Sequence, residues 1–202
     1  MYTINKIYQE KQEIKKSEFI CTIHPVSNID EINEILKDTR KKYYDATHNC
    51  YAYILGENGD TIKCSDDGEP SQTAGIVILD ALRKNELTNV LAIVTRYFGG
   101  IKLGAGGLVR AYSSSTSLVL EKIEKLKIEK CIDLTIEFNY QNYNLIDRHI
   151  KEFKEKEKTF TDNIKITIVI PTSKVESLID KLIEITKNDI IITKGKEESR
   201  VV

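Results

Sequence analysis

At 202 residues, with 41% hydrophobic and 30% charged, the chain is long enough for one large or two small domains, each able to bury a core. Its 30 Lys and Arg against 31 Asp and Glu leave a formal charge of −1, so bulk basicity toward nucleic acid is excluded and any such site must be a local patch. The 4 cysteines lack a CxxC pair, the 3 histidines form no ligand-spaced cluster with them, and no run nears the roughly 18 apolar residues of a membrane span, which argues against zinc, a disulfide framework and a membrane protein and leaves a cytoplasmic one with reduced thiols.

In chain order, residues 3–9 alternate and residues 19–26 are rich in β-formers, predicting a hairpin with the charged segment 10–16 at its exposed end. Asn28 and Glu31 read as a capping box, and Ile29, Ile32, Ile35, Leu36 and Tyr43 recur at helical spacing, predicting a helix over 29–43 with a basic last turn. Residues 48–55 and 61–65 flank GENGD and predict a second hairpin. An acidic loop over 65–73, SDDGEPSQT, leads into a helix with the stripe Ala74, Val77, Ile78, Ala81 and Leu82, and with Ser71 or Thr73 near its N-cap. Residues 90–95 (VLAIVT) are apolar on both alternating faces, as in a central strand covered on both sides. The stretch over 96–112, RYFGGIKLGAGGLVRAY, opens a helix predicted over 107–125, in which Ser113, Ser114 and Ser115 suggest close packing on the sheet.

Beyond residue 125 the pattern changes. Ile132, Leu134, Ile136 and Phe138 alternate strictly, Tyr143, Ile146, His149, Ile150 and Phe153 follow helical spacing, and strands over 158–161 and 164–170 meet at Asp162 and Asn163. Ser173 and Glu176 read as a capping box for a further helix, and residues 190–193 close the series. The order β-α-β-β-α-β predicts a ferredoxin-like domain over 131–202, after a first domain over 1–130, with the tail GKEESRVV frayed.

The glycine stretch fails both standard phosphate-loop patterns. Ala105 stands after Gly104 where a Walker A loop needs Lys, and Val109 stands where the dinucleotide fingerprint needs its third glycine. Gly99, Gly100, Gly104, Gly106 and Gly107 then serve either positive φ and close helix approach or a binding surface. Arg96, Lys102 and Arg110 bracket the turn and suit phosphate or an acidic peptide, and Tyr97, Phe98 and Tyr112 are candidates for stacking on bases. In the acidic loop, Asp66, Asp67 and Glu69, with Ser71, suit Mg²⁺, a helix dipole, or a salt bridge to Arg96 or Arg110. His48 reads as a hydrogen-bonded structural residue and Cys50 as core. No catalytic residue, metal or cofactor is assigned.

Three strings carry a resemblance: DDGEPSQTAG over 66–75, RYFGGIKLGAGGLVRAY over 96–112, and DATHNCYAYILG over 45–56. Together they resemble the IMPACT/YigZ family over essentially the whole chain. The resemblance implies an α+β protein of two domains, the first like domain 2 of ribosomal protein S5 and the second ferredoxin-like, similar to the last domain of elongation factor G. Eukaryotic relatives regulate translation by competing for the activator of an amino-acid-starvation kinase, through an additional N-terminal domain not among these residues, so that partner is not carried over. Two positions depart from the family pattern: Gln72 replaces a glycine and Val77 a proline. The expected function is a non-catalytic, translation-associated binding protein contacting RNA, the ribosome or a protein partner. The alternative is an enzyme acting on an anionic or peptide substrate with the acidic loop as its metal or acid/base site.

Overall fold

The computed structural model describes residues 1–201. Its first unit, Met1–Ile128, lays down β1 (Tyr2–Thr3), β2 (Tyr8–Ile14), β3 (Ser17–Pro25), α1 (Ile29–Lys42), β4 (His48–Leu55), β5 (Thr61–Ser65), α2 (Gly75–Lys84), β6 (Val90–Tyr97) and α3 (Ala105–Leu120), and it contains the first residues of β7 (Leu126–Phe138). Five of these strands form an antiparallel sheet in the order β2-β3-β6-β4-β5. The apolar run of β6 is therefore central. One face of the sheet packs Phe19, Cys21, Cys50 and Val94 against Ile78 and Leu82 of α2 and Leu108 and Tyr112 of α3. The other packs Tyr51, Tyr53, Leu91 and Ile93 against Ile32 and Leu36 of α1. Burial on both faces explains why β6 reads as continuous apolar sequence rather than as alternation.

The first hairpin forms with its elements displaced from expectation. Residues 3–9 are not one strand: β1 ends at Thr3 and β2 runs through the charged segment to Ile14. As an edge strand β2 buries only half of each alternate residue, which tolerates Gln9, Lys11 and Glu13 on its open face. Lys15 and Lys16, at φ 46 and 64, make the two-residue turn into β3. Asn28 caps α1 by accepting from the Glu31 N–H at 2.9 Å, while the Glu31 carboxylate reaches back to the N–H of Ser27 at 2.8 Å, one residue beyond the expected partner.

Of the run Ser113, Ser114 and Ser115 in α3, only Ser115 is buried; its hydroxyl donates to the Ala111 carbonyl and accepts from Gln12 of β2, while Ser113 and Ser114 are exposed. The helix itself covers 105–120 rather than 107–125.

In the second unit, from Glu129 onward, the rest of β7 is followed by α4 (Tyr143–Ile150), β8 (Lys154–Phe160), β9 (Ile164–Pro171), α5 (Thr172–Thr186) and β10 (Ile191–Val201). The sheet order is β10-β7-β9-β8, the ferredoxin-like arrangement. Leu134, Ile136, Ile166 and Ile168 pack against Ile146, Ile150, Leu178 and Leu182. Two expectations change here. The α5 capping box is absent: no side chain caps α5, and Glu176 pairs instead with Lys194 at 2.6 Å. Through Val201 the tail is a strand rather than frayed chain, with Arg200 of β10 paired to Asp133 of β7, and Val202 lies outside the described residues.

Candidate functional site

Strand parity builds the centre of the site. His48 of β4 and Phe19 of β3 flank Arg96 of β6 in register, and Cys50 follows His48 on the same face two residues on. On that face α3 brings Tyr112 and the acidic loop brings Glu69. The Glu69 carboxylate accepts from Arg96 Nη1 at 2.6 Å and from the Tyr112 hydroxyl at 2.8 Å, and its other oxygen stands 3.7 Å from His48 Nε2. Arg96 is only 5% exposed and Glu69 8%, so this is a buried ion pair between the two motifs. The Arg96 guanidinium lies over the Phe19 and Phe98 rings at 5.4 and 5.7 Å. Its Nη2 reaches Ser17 Oγ at 3.5 Å, and its Nε is buried without a partner.

The acidic residues have three separate jobs. Asp66 accepts from the backbone N–H groups of Gln72, Ala74 and Gly75 at 2.9, 3.0 and 2.8 Å, closing the N-terminus of α2 in place of the expected Ser71 or Thr73 cap. Partial burial pulls the Asp66 carboxyl up, but the three backbone donors outweigh it and hold it below its ordinary value. Asp67 accepts from the Asn49 N–H at 2.7 Å, and its backbone carbonyl lies 2.8 Å from His48 Nδ1. That carbonyl can only accept, so Nδ1 donates to it and Nε2 is the ring nitrogen that faces Glu69. Glu69 alone faces the glycine loop. Dispersed in this way, the three carboxylates do not meet at one point as a Mg²⁺ site requires. Ser71 is exposed.

Burial drives the Cys50 thiol up to about 12, with the Tyr112 hydroxyl acting against the rise and the Glu69, Asp67 and Asp66 charges adding to it. Cys50 thus stays a protonated core residue at neutral pH. Tyr112 is wholly buried, with its ring edge-on to Phe19 at 5.4 Å, so it has no face to offer a base; it serves instead as a donor to Glu69. The Tyr97 hydroxyl donates to Asp45 at 2.9 Å. Of the three aromatic candidates, Phe98 has the open face, at 48% exposed.

The glycine loop packs against the β2–β3 turn. A Cβ on Gly99 would lie 1.9 Å from the Lys16 carbonyl oxygen, and the Gly99 N–H donates to Ser17 Oγ at 3.2 Å. Gly104, at φ 70 and ψ 165, adopts a conformation essentially confined to glycine and turns the chain into α3. On Gly107 a Cβ would press on Leu103 Cβ at 3.0 Å. Gly100 and Gly106 are exposed, as are Lys102 and Arg110.

Between the two loops lies a recess of about 280 Å³, lined by Thr47, His48, Glu69 and Pro70 on one side and by Phe98, Lys102, Leu103, Gly104 and Leu108 on the other, with Arg96 at its base. Pro70, Leu103 and Leu108 lie within the quoted strings without having been singled out, and Ser17 lies outside all of them. Strand pairing identifies Ser17, which adjoins the Glu18–Tyr97 pair, and helical phase identifies Leu108.

The architecture is that of a two-domain α+β protein whose first domain holds a small recess between an acidic loop and a cationic glycine loop. Residues 15–120 match the Impact N-terminal domain and residues 136–188 a domain of unknown function, DUF1949. The chain is 36% identical over 197 residues to the IMPACT family member YvyE of Bacillus subtilis (strain 168), covering 96% of this chain and 91% of that one. To the IMPACT family member YigZ of Escherichia coli (strain K12) it is 28% identical over 183 residues, covering 89% and 90%. It is also similar to a solved hypothetical protein at a TM-score of 0.61 and 27% identity, with 98% of each chain covered. The chain belongs to the IMPACT family.

Proposed function

We propose that this chain is a non-catalytic, translation-associated binding protein whose glycine loop contacts RNA, free or within the ribosome. Its link to translation follows from the family, whose eukaryotic members regulate translation. The RNA contact rests on one structural observation: Phe98, Ile101, Lys102, Val109 and Arg110 are all exposed on one loop and the helix turns that follow it. An exposed aromatic ring followed in the same stretch by two exposed cations suits a single strand, whose bases stack while its phosphates pair. Arg96 takes no direct part in that contact, because its charge is already used by Glu69.

Titration of a fluorescent single-stranded RNA at several salt concentrations tests the proposal. The expected log affinity falls with log salt, with a slope of about 0.7 per phosphate neutralised. Lys102→Ala and Arg110→Ala weaken binding and flatten the slope, whereas Phe98→Ala weakens binding and leaves the slope unchanged. Absence of RNA binding at low salt overturns the RNA contact. A protein that co-purifies with the wild type and is lost with Phe98→Ala then assigns the surface to a protein partner.

A further inference from the structure

Two lysines form the tip of the β2–β3 hairpin in a conformation that lysine does not favour. A two-residue hairpin turn with both central residues in the left-handed region takes Asn-Gly as its usual pair. Lys15 and Lys16 stand there instead, at φ 46 and 64. Asp67 and Asn89 also adopt positive φ, but with their side chains in use, Asp67 accepting from the Asn49 N–H and Asn89 from the Gly56 N–H. The Lys15 and Lys16 side chains are exposed and have no hydrogen bond, ion pair or ring contact among the described residues. The strain of the turn is thus met by no contact from either side chain.

The tip is fixed against the glycine loop. Glu18 pairs with Tyr97, and the same antiparallel register carried past the end of β6 sets Lys16 opposite Gly99. That closeness is what leaves Gly99 no room for a Cβ beside the Lys16 carbonyl. Buried Ser17 accepts from the Gly99 N–H at 3.2 Å, and Gln12 of β2 donates to Ser115 of α3 at 2.6 Å, so both strands of the hairpin are tied down next to the turn. Lys16 therefore adjoins Gly99 from a neighbouring strand, and Lys102 follows Phe98 and Gly99 along the chain. The two carboxylates next to the tip lie on the other side of the sheet: Gln12 and its partner Phe19 face α3, so the cross-strand pair Glu13 and Glu18 faces away from it, and Glu18 already holds Lys11 at 2.5 Å.

We infer that the Lys15–Lys16 tip is a second arm of the RNA contact, pairing with backbone phosphates of the single strand whose base stacks on Phe98. Lysine suits that task, because a compact charge on a flexible stem meets phosphate without reading sequence. Lys15, Lys16, Lys102 and Arg110 are then four exposed cations, none with an ion-pair partner among the described residues, contributed by the hairpin tip, the glycine loop and α3. With the turn held by Ser17 and Gln12, the backbone under the lysines is already ordered, and less entropy opposes binding. Gly99 is the residue that lets the two arms meet. The inference rests on the RNA contact proposed above and adds the tip to it.

The test replaces the tip in the full chain by the pair the turn prefers, Lys15→Asn with Lys16→Gly. This double variant should raise the melting temperature by a few degrees as the strain is relieved, and weaken binding of a fluorescent single-stranded RNA. The slope of log affinity against log salt should become shallower by about 1.4, from two phosphates at about 0.7 each. Lys15→Arg with Lys16→Arg keeps both charges and should keep the wild-type slope, and Lys37→Ala, at an exposed position of α1, should also leave it unchanged. If the Asn-Gly variant keeps the wild-type slope while Lys102→Ala and Arg110→Ala flatten it, the inference is overturned and the RNA contact stands. A change of about 0.7 with Lys37→Ala would show a response to net charge alone and overturn the tip as a site. A lower melting temperature for the Asn-Gly variant overturns the reading of the turn as strained in favour of binding. No RNA binding by the wild type overturns both the tip and the contact it extends.

Discussion

Gln72 occupies φ 63, in the left-handed region that favours glycine, at the position where the family resemblance expects glycine. The strain is held by one hydrogen bond, from the Gln72 N–H to Asp66 Oδ2 at 2.9 Å, and the side chain itself is exposed. Gln72→Gly should therefore relieve a left-handed penalty of about 1–2 kcal/mol, offset in part by about 0.5–1 kcal/mol of extra chain entropy. The expected net is a stabilisation below about 1 kcal/mol in urea unfolding; a destabilised variant would show that the Gln72 side chain holds the loop in some other way. Val77 has the opposite character. It lies in the first turn of α2, ahead of the first intrahelical bond at Ile78, where a proline would forfeit no hydrogen bond. At this scale the sequence was partly readable. An ion pair from the acidic loop to Arg96 or Arg110 was among the expectations, and the alternation of β4 and β6 places His48, Cys50 and Arg96 on one face. The role of Tyr112 as a donor to Glu69 was not readable, because helical phase makes a residue core without saying which polar group its hydroxyl will meet.

At the level of elements, α2 is the helix whose start was misread. Its cap comes from Asp66, eight residues before Ala74, and a local motif search looks only three or four residues back. The α5 capping box failed for a related reason, since a matching spacing does not fix where a carboxylate goes when Lys194 of β10 stands beside it. Helix stripes and strand alternation fared better because burial enforces them along a whole element. The Asp66 cap makes a signed prediction. Its carboxyl is held below the ordinary value in the folded chain by backbone donors, so its contribution is present above the unfolded pKa of about 4. The contribution is lost as pH falls through the lower, folded value. Asp66→Asn should thus weaken the fold by about 1–2 kcal/mol at neutral pH and show a shallower loss of stability in acid than wild type. Circular dichroism during denaturant titrations at a series of pH values reads both effects, and parallel pH profiles for the two proteins would exclude Asp66 as the group responsible.

Across the whole molecule, each hydrophobic core is drawn from one unit alone. Phe19, Val94, Leu108 and Tyr112 belong to the first, and Leu134, Ile136, Ile166 and Leu182 to the second. Cooperativity follows shared burial, so a chain with two separate cores has two candidate unfolding units rather than one. Leu134 is fully buried in the centre of the second core, and its truncation leaves a cavity there without touching the recess of the first unit. Leu134→Ala should cost about 2–5 kcal/mol, all of it in one calorimetric transition, while the other keeps its midpoint. The same variant separates the duties of the two units: RNA affinity should match wild type at temperatures below the weakened transition, because every residue assigned to that contact lies between Lys15 and Arg110. A single transition that moves as a whole with Leu134→Ala would mean that the two cores fold as one, and a matching loss of RNA affinity would mean that the second unit takes part in binding.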